Sequence, residues 1–537
     1  MDRSRCGPLY GRAINRRVVV SAAGIQGGMD QMKGLLSTAA SRAWIGVAVA
    51  GLVVVALVIG LQLIPRLTAG QDVIDAAKPA LTDQAVAGEL AGTDLVSQYV
   101  DLADPLMTQG GAVREVPKLI TMIARKSGVS ETRARRFLRR EAPHTEALLR
   151  ALPFSGVARE RRRLTQYLSS TLNITPEDLQ DQLARDFPRL FQMLAELPSV
   201  TDGWRSVPGV EDLERFDGQT PVKTAPQLRD YLRDDLLGTL AEEKDRFQAL
   251  AGSGGIGYIP YLLLILGSVT IAFGLLHARW SASHPSGRFA WGGVVVIGAL
   301  IVVLVGALQY FPRLNGADRT IRALEPAFDE QRVVGTRAGI DFVVQAVRFG
   351  DPIVTARGGA AAELPRLVTF VSGQAGQPEK QVRRRLQRAA PRTVALLEAA
   401  PLSEVAEEVP HLVAVLSRKL RLGGDRLVAS LRRRTPGLAR ALLAVGPVTS
   451  GWDAIPDSEG LTRFGDDAPV RSMPAFAGYL DEDVIPVLEV QQNNFQKLAN
   501  TWPAVDVLPG LLLAVGLLVA LYGAAMMFFV TSPPARS

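Results

Sequence analysis

Four stretches of this chain are long, apolar and free of Asp, Glu, Lys, Arg and His: Trp44–Ile64, Ile259–Leu276, Trp291–Phe311 and Val507–Val530. A hydrocarbon core roughly 30 Å thick is crossed by about 20 helical residues, which is what each stretch supplies. Trp44, Tyr258, Tyr261, Trp280, Trp291, Tyr310 and Trp502 lie at or near their ends, where amphipathic rings rest at the headgroups. A buried core helix would explain one such stretch, but four without a charge are better explained as membrane spans. The first lies too far into the chain, and is too long, for the apolar region of a cleaved signal peptide. It is expected to be a retained anchor.

Short flanking segments set the orientation. Arg3, Arg5, Arg12, Arg16, Arg17, Lys33 and Arg42 precede the first span, against Asp2 and Asp30. The loop His277 to Arg288 holds Arg279 and Arg288 and no acid, and the tail holds Arg536. By the positive-inside rule these belong to the cytoplasm, and both long segments lie outside it. The expected plan is therefore a cytoplasmic segment 1–43, a span 44–64, an extracytoplasmic domain 65–258, a span 259–276, a cytoplasmic loop 277–290, a span 291–311, a second domain 312–506, a span 507–530 and a cytoplasmic tail 531–537. Met29 is an alternative start, because residues 1–28 show no apolar periodicity.

The two long segments match in register. Leu61-Gln62 and Pro65-Arg66-Leu67 recur 247 residues later as Leu308-Gln309 and Pro312-Arg313-Leu314, and Asp104-Pro105 as Asp351-Pro352. Past a one-residue insertion the offset is 248. Gly203-Trp204 answers Gly451-Trp452, Arg215-Phe216 answers Arg463-Phe464, and Tyr231 answers Tyr479. This pattern implies an internal duplication of a span–domain–span unit, with parallel repeats related by an axis along the membrane normal.

A shorter repeat of 45 residues lies inside each segment. Leu138 and Pro143 recur as Leu183 and Pro188, then Leu386 and Pro391, then Leu431 and Pro436. Ser130-Glu131, Thr175-Pro176-Glu177, Pro378-Glu379 and Gly424-Asp425 precede these leucines. Ser and Thr cap free N–H groups, Pro fits a first turn and acids suit the positive end of the helix dipole. Each unit is predicted as a helix that breaks and restarts at Pro. Alternating strand patterns are missing, so the expected fold is all-α: four transmembrane helices with two related helical extracytoplasmic domains.

No catalytic or metal constellation is present. Cys6 is the single cysteine, which excludes an internal disulfide and a cysteine-based metal site. His144, His277, His284 and His411 show no ligand spacing. The run Gly252 to Gly257 lacks the Lys-Ser/Thr pair of a phosphate loop and is predicted to be a hinge. The acidic pairs Asp234-Asp235 and Glu242-Glu243 fall on an amphipathic helix and are expected on a solvated face. Glycines 267, 274, 292, 298, 516 and 523 are candidates for close packing between spans. The chain is predicted to be non-enzymatic, with no cofactor.

Arginine makes up most of the 60 basic residues. With so much Ala, Gly and Val, this usage points to a GC-rich bacterial genome. Arg133, Arg135, Arg136, Arg139 and Arg140 surround the apolar stripe of Ala134, Phe137 and Leu138. Arg383, Arg384, Arg385 and Arg388 surround Val382 and Leu386, and further clusters stand at 161–163 and 432–434. Arg135, Arg136, Arg140, Arg383, Arg384 and Arg388 match in register and form a candidate anion- or partner-binding surface, since the guanidinium fork binds phosphate or carboxylate bidentately. A plain solvated face is the alternative. Trp204, Arg215, Trp452 and Arg463 line a pocket or pack a turn. The expected partners are the lipid bilayer together with an anionic envelope polymer, lipid headgroups or another membrane protein; nucleic acid is disfavoured by the location. The expected function is a scaffold or binding module in a bacterial cell membrane. The alternative is an accessory subunit of a transport or export system, or a sensor without its own output domain.

Overall fold

A computed structural model describes residues 39–108, 111–251, 257–281, 288–307, 310–355, 359–499 and 507–529. Cys6, Met29, the basic residues Arg3, Arg5, Arg12, Arg16, Arg17 and Lys33, Gly252–Ile256, His284, Trp502 and Arg536 lie outside the described residues. The described residues are mostly helical, without a strand. Two isolated β-bridges, Glu214 with Pro221 and Thr462 with Pro469, are the nearest approach to one.

In the first half the helices are α1 (Ala39–Gly60), α2 (Leu63–Ala77), α3 (Asp83–Met107), α4 (Ala112–Ser127), α5 (Glu131–Glu141), α6 (Pro143–Ala151), α7 (Phe154–Leu172), α8 (Pro176–Asp186) and α9 (Pro188–Gly203). Next come α10 (Ala225–Asp230), α11 (Gly238–Ala251) and α12 (Ile259–Ser281). The second half runs α13 (Arg288–Ala307), α14 (Tyr310–Leu324), α15 (Glu330–Val354), α16 (Ala360–Ala375), α17 (Glu379–Ala389), α18 (Pro391–Ala399), α19 (Leu402–Leu420), α20 (Gly424–Arg434) and α21 (Pro436–Trp452). It ends with α22 (Met473–Tyr479), α23 (Ile485–Ala499) and α24 (Val507–Phe529). Wider π-helical turns occupy Tyr231–Leu237 and Leu480–Val484. The chain divides into two compact units, one of residues 1–67, 258–314 and 502–537, the other of 68–257 and 315–501.

In the first unit, three helices are long and apolar enough to cross a membrane: Arg42–Gly60, Ile259–Trp280 and Pro509–Phe529. The third predicted span, Trp291–Phe311, falls on α13, whose apolar stretch Ala290–Val303 is shorter. The first predicted span does not run unbroken to Ile64. It stops at Gly60, Gln62 takes a left-handed φ of 49°, and α2 starts at Leu63. Pro65 explains the break: it has no N–H to give the carbonyl of Leu61, and its ring would collide there.

Glycine sets the approach of these helices. A Cβ on Gly51 would stand 2.7 Å from the Gly267 carbonyl oxygen, and one on Gly298 would stand 2.7 Å from that of Gly516. Backbones pack this closely only where neither carries a side chain. Gly274 lies against Ala48 and Gly523 against Val294, as close-packing positions require. Gly292 has nothing within 4 Å of its Cβ position and serves no such contact; Gly51 does instead. Trp44 and Trp291 stack at 3.9 Å between centroids, and the Tyr522 hydroxyl donates to the Ala43 carbonyl at 2.8 Å.

The second unit shows the predicted break-and-restart helices. Pro143, Pro188, Pro391 and Pro436 each occupy the first turn of a helix whose predecessor ends two residues earlier. The residue between them (Ala142, Phe187, Ala390 or Thr435) has φ near −140° and offers no side-chain cap. Its helix therefore starts with unpaired N–H groups. Glutamates from the other half satisfy them. Glu115 accepts from Gly437 N (3.3 Å) and Leu438 N (2.7 Å), and Glu363 from Arg189 N (3.3 Å) and Leu190 N (2.8 Å). Glu160 caps α18 and Glu408 caps α6 in the same manner.

The sequence predicts separate domains at 65–258 and 312–506, whereas residues 68–257 and 315–501 share one core. Helix α3 packs on α21 and α15 on α9, so the long helix of each half is covered by the other. Glycines allow it. Gly88 and Gly92 on α3 lie under Leu461 and Phe476, and Gly335 and Gly339 on α15 lie under Leu213 and Leu228. Burying a leucine or phenylalanine contributes about 1.5–3 kcal/mol, so these contacts tie the halves together.

Candidate functional site

The predicted arginine faces are built as the stripes dictate. On α5, Ala134 and Leu138 are buried and Arg133, Arg135, Arg136, Arg139 and Arg140 are exposed; on α17, Val382 and Leu386 are buried and Arg383, Arg384, Arg385 and Arg388 are exposed. Arg140 reaches Glu141 at 2.6 Å and Arg139 reaches Glu146 at 3.4 Å. The arginine end of each pair is exposed while Glu146 is buried, and solvent screening at the open end keeps such pairs weak. Arg135, Arg136, Arg383, Arg384 and Arg388 make no ion pair among the described residues.

Tertiary packing makes the two faces unequal. Helix α7 packs on α17 and adds arginines of its own, the exposed Arg159, Arg162 and Arg163. Helix α19 packs on α5, but carries Glu407 and His411 at the positions matching Arg159 and Arg163. There His411 Nε2 stands 3.7 Å from Glu141, and the Lys419 ammonium lies 3.7 Å over the Phe137 ring. The α7/α17 face is nearly all cationic, while the α5/α19 face is mixed. Arg432, Arg433 and Arg434 are exposed on α20, which packs on α19.

Trp204 and Trp452 are fully buried, and each indole N–H donates to an aspartate, Asp104 and Asp351, at 3.1 Å. The two motif pairs thus meet each other: Gly-Trp ends one helix and Asp-Pro lies near the end of another. Arg215 grips Asp235 with two bonds of 2.8 Å, and Arg463 pairs with Asp483 and, at 2.6 Å, with Glu482. The Asp235 carboxylate holds the Arg215 guanidinium well above its usual range. These residues pack the π-helical turns, whose acids they hold. Asp235 and Glu243 are not on a solvated face as predicted. Asp235 is clamped by Arg215, and Glu243 is buried, accepting from the Thr320 hydroxyl at 2.8 Å. A helical wheel places a charge on a face but does not show a distant helix arriving to cover it.

Sequence reasoning misses Glu89. It is buried on α3 and accepts from the Tyr479 hydroxyl; burial pushes its carboxyl up to about 7. In the other half Tyr231 meets Thr336, the register counterpart of Glu89, at 2.8 Å. The signal lay in the spacing Val86, Glu89, Thr93, Val96, which sets the acid on the apolar stripe.

Sequence reasoning also misses a cleft of about 610 Å³ beside the Asp351–Trp452 pair, lined by Arg189, Arg348, Asp351, Asp453, Asp481 and Glu482, among others. Arg189 Nη1 reaches Asp351 at 2.5 Å, and Gln192 donates to the Arg348 carbonyl at 2.8 Å. Among the described residues no three His, Cys, Asp or Glu side chains gather as a metal site would require.

The fold and these sites define an all-helical protein with three helices able to span a membrane. No family model, no characterised protein and no solved structure matches the chain.

Proposed function

We propose that this is a multi-pass membrane protein of a bacterial envelope, built by internal duplication, whose helical unit lies outside the cytoplasm as a non-enzymatic scaffold or binding module. The α7/α17 face carries the reading: exposed arginines from two helices, with no ion pair among the described residues for those of α17, suit an anionic envelope polymer better than they suit a neutral surface. Two further observations support the duplication. Trp44 stacks on Trp291, 247 positions on, and the Tyr99 hydroxyl donates at 2.9 Å to the carbonyl of Ala346, also 247 positions on. A residue that touches its own counterpart lies on a two-fold relation. Four spans with cytoplasmic termini follow from the four apolar runs and the basic short segments.

The test uses the full chain in detergent, with immobilised phosphate-bearing envelope polymer. Retention that falls steeply with salt and is lost in an Arg383→Ala/Arg384→Ala/Arg388→Ala variant supports the reading. Equal retention by that variant overturns it. For topology, a Cys6→Ser chain with one new cysteine at the exposed Ser170 or Ser450 is expected to react with an impermeant thiol reagent added outside intact cells; reaction only after lysis reverses the orientation.

A further inference from the structure

The cleft beside Asp351 differs in one respect from the corresponding place in the other half. There the space is plugged from within the chain. Arg229 reaches Asp101 at 3.0 Å and Asp230 at 2.6 Å, and Arg233 reaches Asp94 at 3.0 Å. In register, Arg229 and Asp230 become Ala477 and Gly478, which line the open cleft. Asp101, the plug's acceptor, becomes Arg348, and Arg233 becomes Asp481. The plug is gone, and the charge at its acceptor is reversed.

Arg348, Asp453 and Asp481 line the cleft without an ion pair among the described residues. Asp481 stands near the exposed Asp341, and Arg337, itself paired with Glu489, acts on both carboxylates. In the other half the same spot is a matched pair, Arg233 with Asp94. The open half therefore turns the Arg348 guanidinium and the Asp453 and Asp481 carboxylates toward one cleft without pairing them to each other. The volume is within the range of small-molecule sites, about 300–1,000 Å³. Arg189 is already engaged by Asp351, which leaves Arg348 as the available cation among the described lining residues.

We propose that this cleft binds a small zwitterion, whose carboxylate or phosphate meets Arg348 and whose ammonium or guanidinium meets Asp481 and Asp453. The ligand replaces the Arg229 plug of the other half. The site is independent of the α17 arginines, so the polymer-binding test and this one fail separately.

The experiment is calorimetric titration of the full chain in phospholipid-free detergent. L-Arginine and L-lysine probe a free amino acid, phosphoethanolamine probes a lipid headgroup, and acetate, inorganic phosphate and ethylammonium are the half-ligands. One zwitterion class is expected to bind one per chain, at least ten-fold tighter than either of its halves; which class binds identifies the source. Arg348→Ala is expected to weaken binding at least ten-fold. Arg348→Asp/Ala477→Arg/Gly478→Asp rebuilds the plug and is expected to abolish binding while raising or preserving the melting temperature. There is room for it: a Cβ on Gly478 meets only Arg463 Nη1, at 3.6 Å. Binding of no zwitterion, binding of a half-ligand as tight as the whole, or undiminished binding by Arg348→Ala overturns the proposal. If the plugged variant does not fold, Arg348→Ala decides alone.

Discussion

The carboxylate of Glu160 accepts three hydrogen bonds at Thr393 and its neighbour: from Arg392 N at 2.9 Å, Thr393 N at 3.0 Å and the Thr393 hydroxyl at 3.2 Å. Glu408 repeats this with His144 N, Thr145 N and the Thr145 hydroxyl. A helix that restarts at Pro without a side-chain cap exposes N–H groups at the positive end of its dipole, and a distant carboxylate answers both needs. All four restart helices are served in this way from the opposite half.

Breaking these caps is expected to loosen the halves from each other. Glu160→Ala strands buried donors and should cost about 1–3 kcal/mol in chemical denaturation; Glu160→Gln, which keeps an acceptor, should cost less. Adding Glu408→Ala should roughly double the loss. When the chain is cut within residues 282–287, the two pieces should co-purify, and either alone should aggregate or pair with itself. A monomeric, cooperatively melting single half would contradict the shared core.

Glu89 predicts a pH dependence. Its carboxyl is raised in the folded state to about 7 from an ordinary 4.5. Between those values the folded chain holds a proton that the unfolded chain has lost, so stability is full below about pH 4.5 and falls as pH rises toward 7. The loss is on the order of 3 kcal/mol. Glu89→Gln keeps an acceptor for Tyr479 and should flatten this slope and stabilise the protein at neutral pH. Glu89→Thr, which copies the other half, should flatten it too. An unchanged slope in denaturation curves taken from pH 4.5 to 7.5 would remove Glu89 as its source.

Span packing should be sensitive at Gly51 and Gly298 and insensitive at Gly292. Gly298→Leu places side-chain atoms where the Gly516 carbonyl and the Ala520 backbone stand, and overpacking of this kind costs about 1–3 kcal/mol. Gly292→Ala meets open space and should change stability by less than about 0.5 kcal/mol. Melting in detergent, followed by the fluorescence of stacked Trp44 and Trp291, checks both.

The two arginine faces should behave differently although their motifs match. Removing Arg383, Arg384 and Arg388 is expected to reduce binding to an anionic polymer several-fold more than removing Arg135, Arg136 and Arg140, because Glu407 and His411 replace arginines beside the latter. Each lost arginine contact should also flatten the salt dependence. Equal losses would place binding elsewhere.

Much of this was readable along the chain, because it depends on neighbours three or four residues apart. The span helices, the restarts at Pro143, Pro188, Pro391 and Pro436, and the exposure of Arg135 and Arg384 around a two-residue apolar stripe are all local consequences of helical period and of proline's missing N–H. Which surface covers an apolar stripe is not local. Helices α3 and α15 carry similar stripes, and either half offers similar leucines to cover them, so no period in the sequence distinguishes packing within a half from packing across halves. Only the tertiary structure decided that they cross, and with that it brought Glu160 to Thr393 and Tyr479 to Glu89. The cleft stayed hidden for a related reason. Ala477 and Gly478 matter through the side chains they lack, and a missing plug has meaning only once the three-dimensional place of Arg229 in the other half is known.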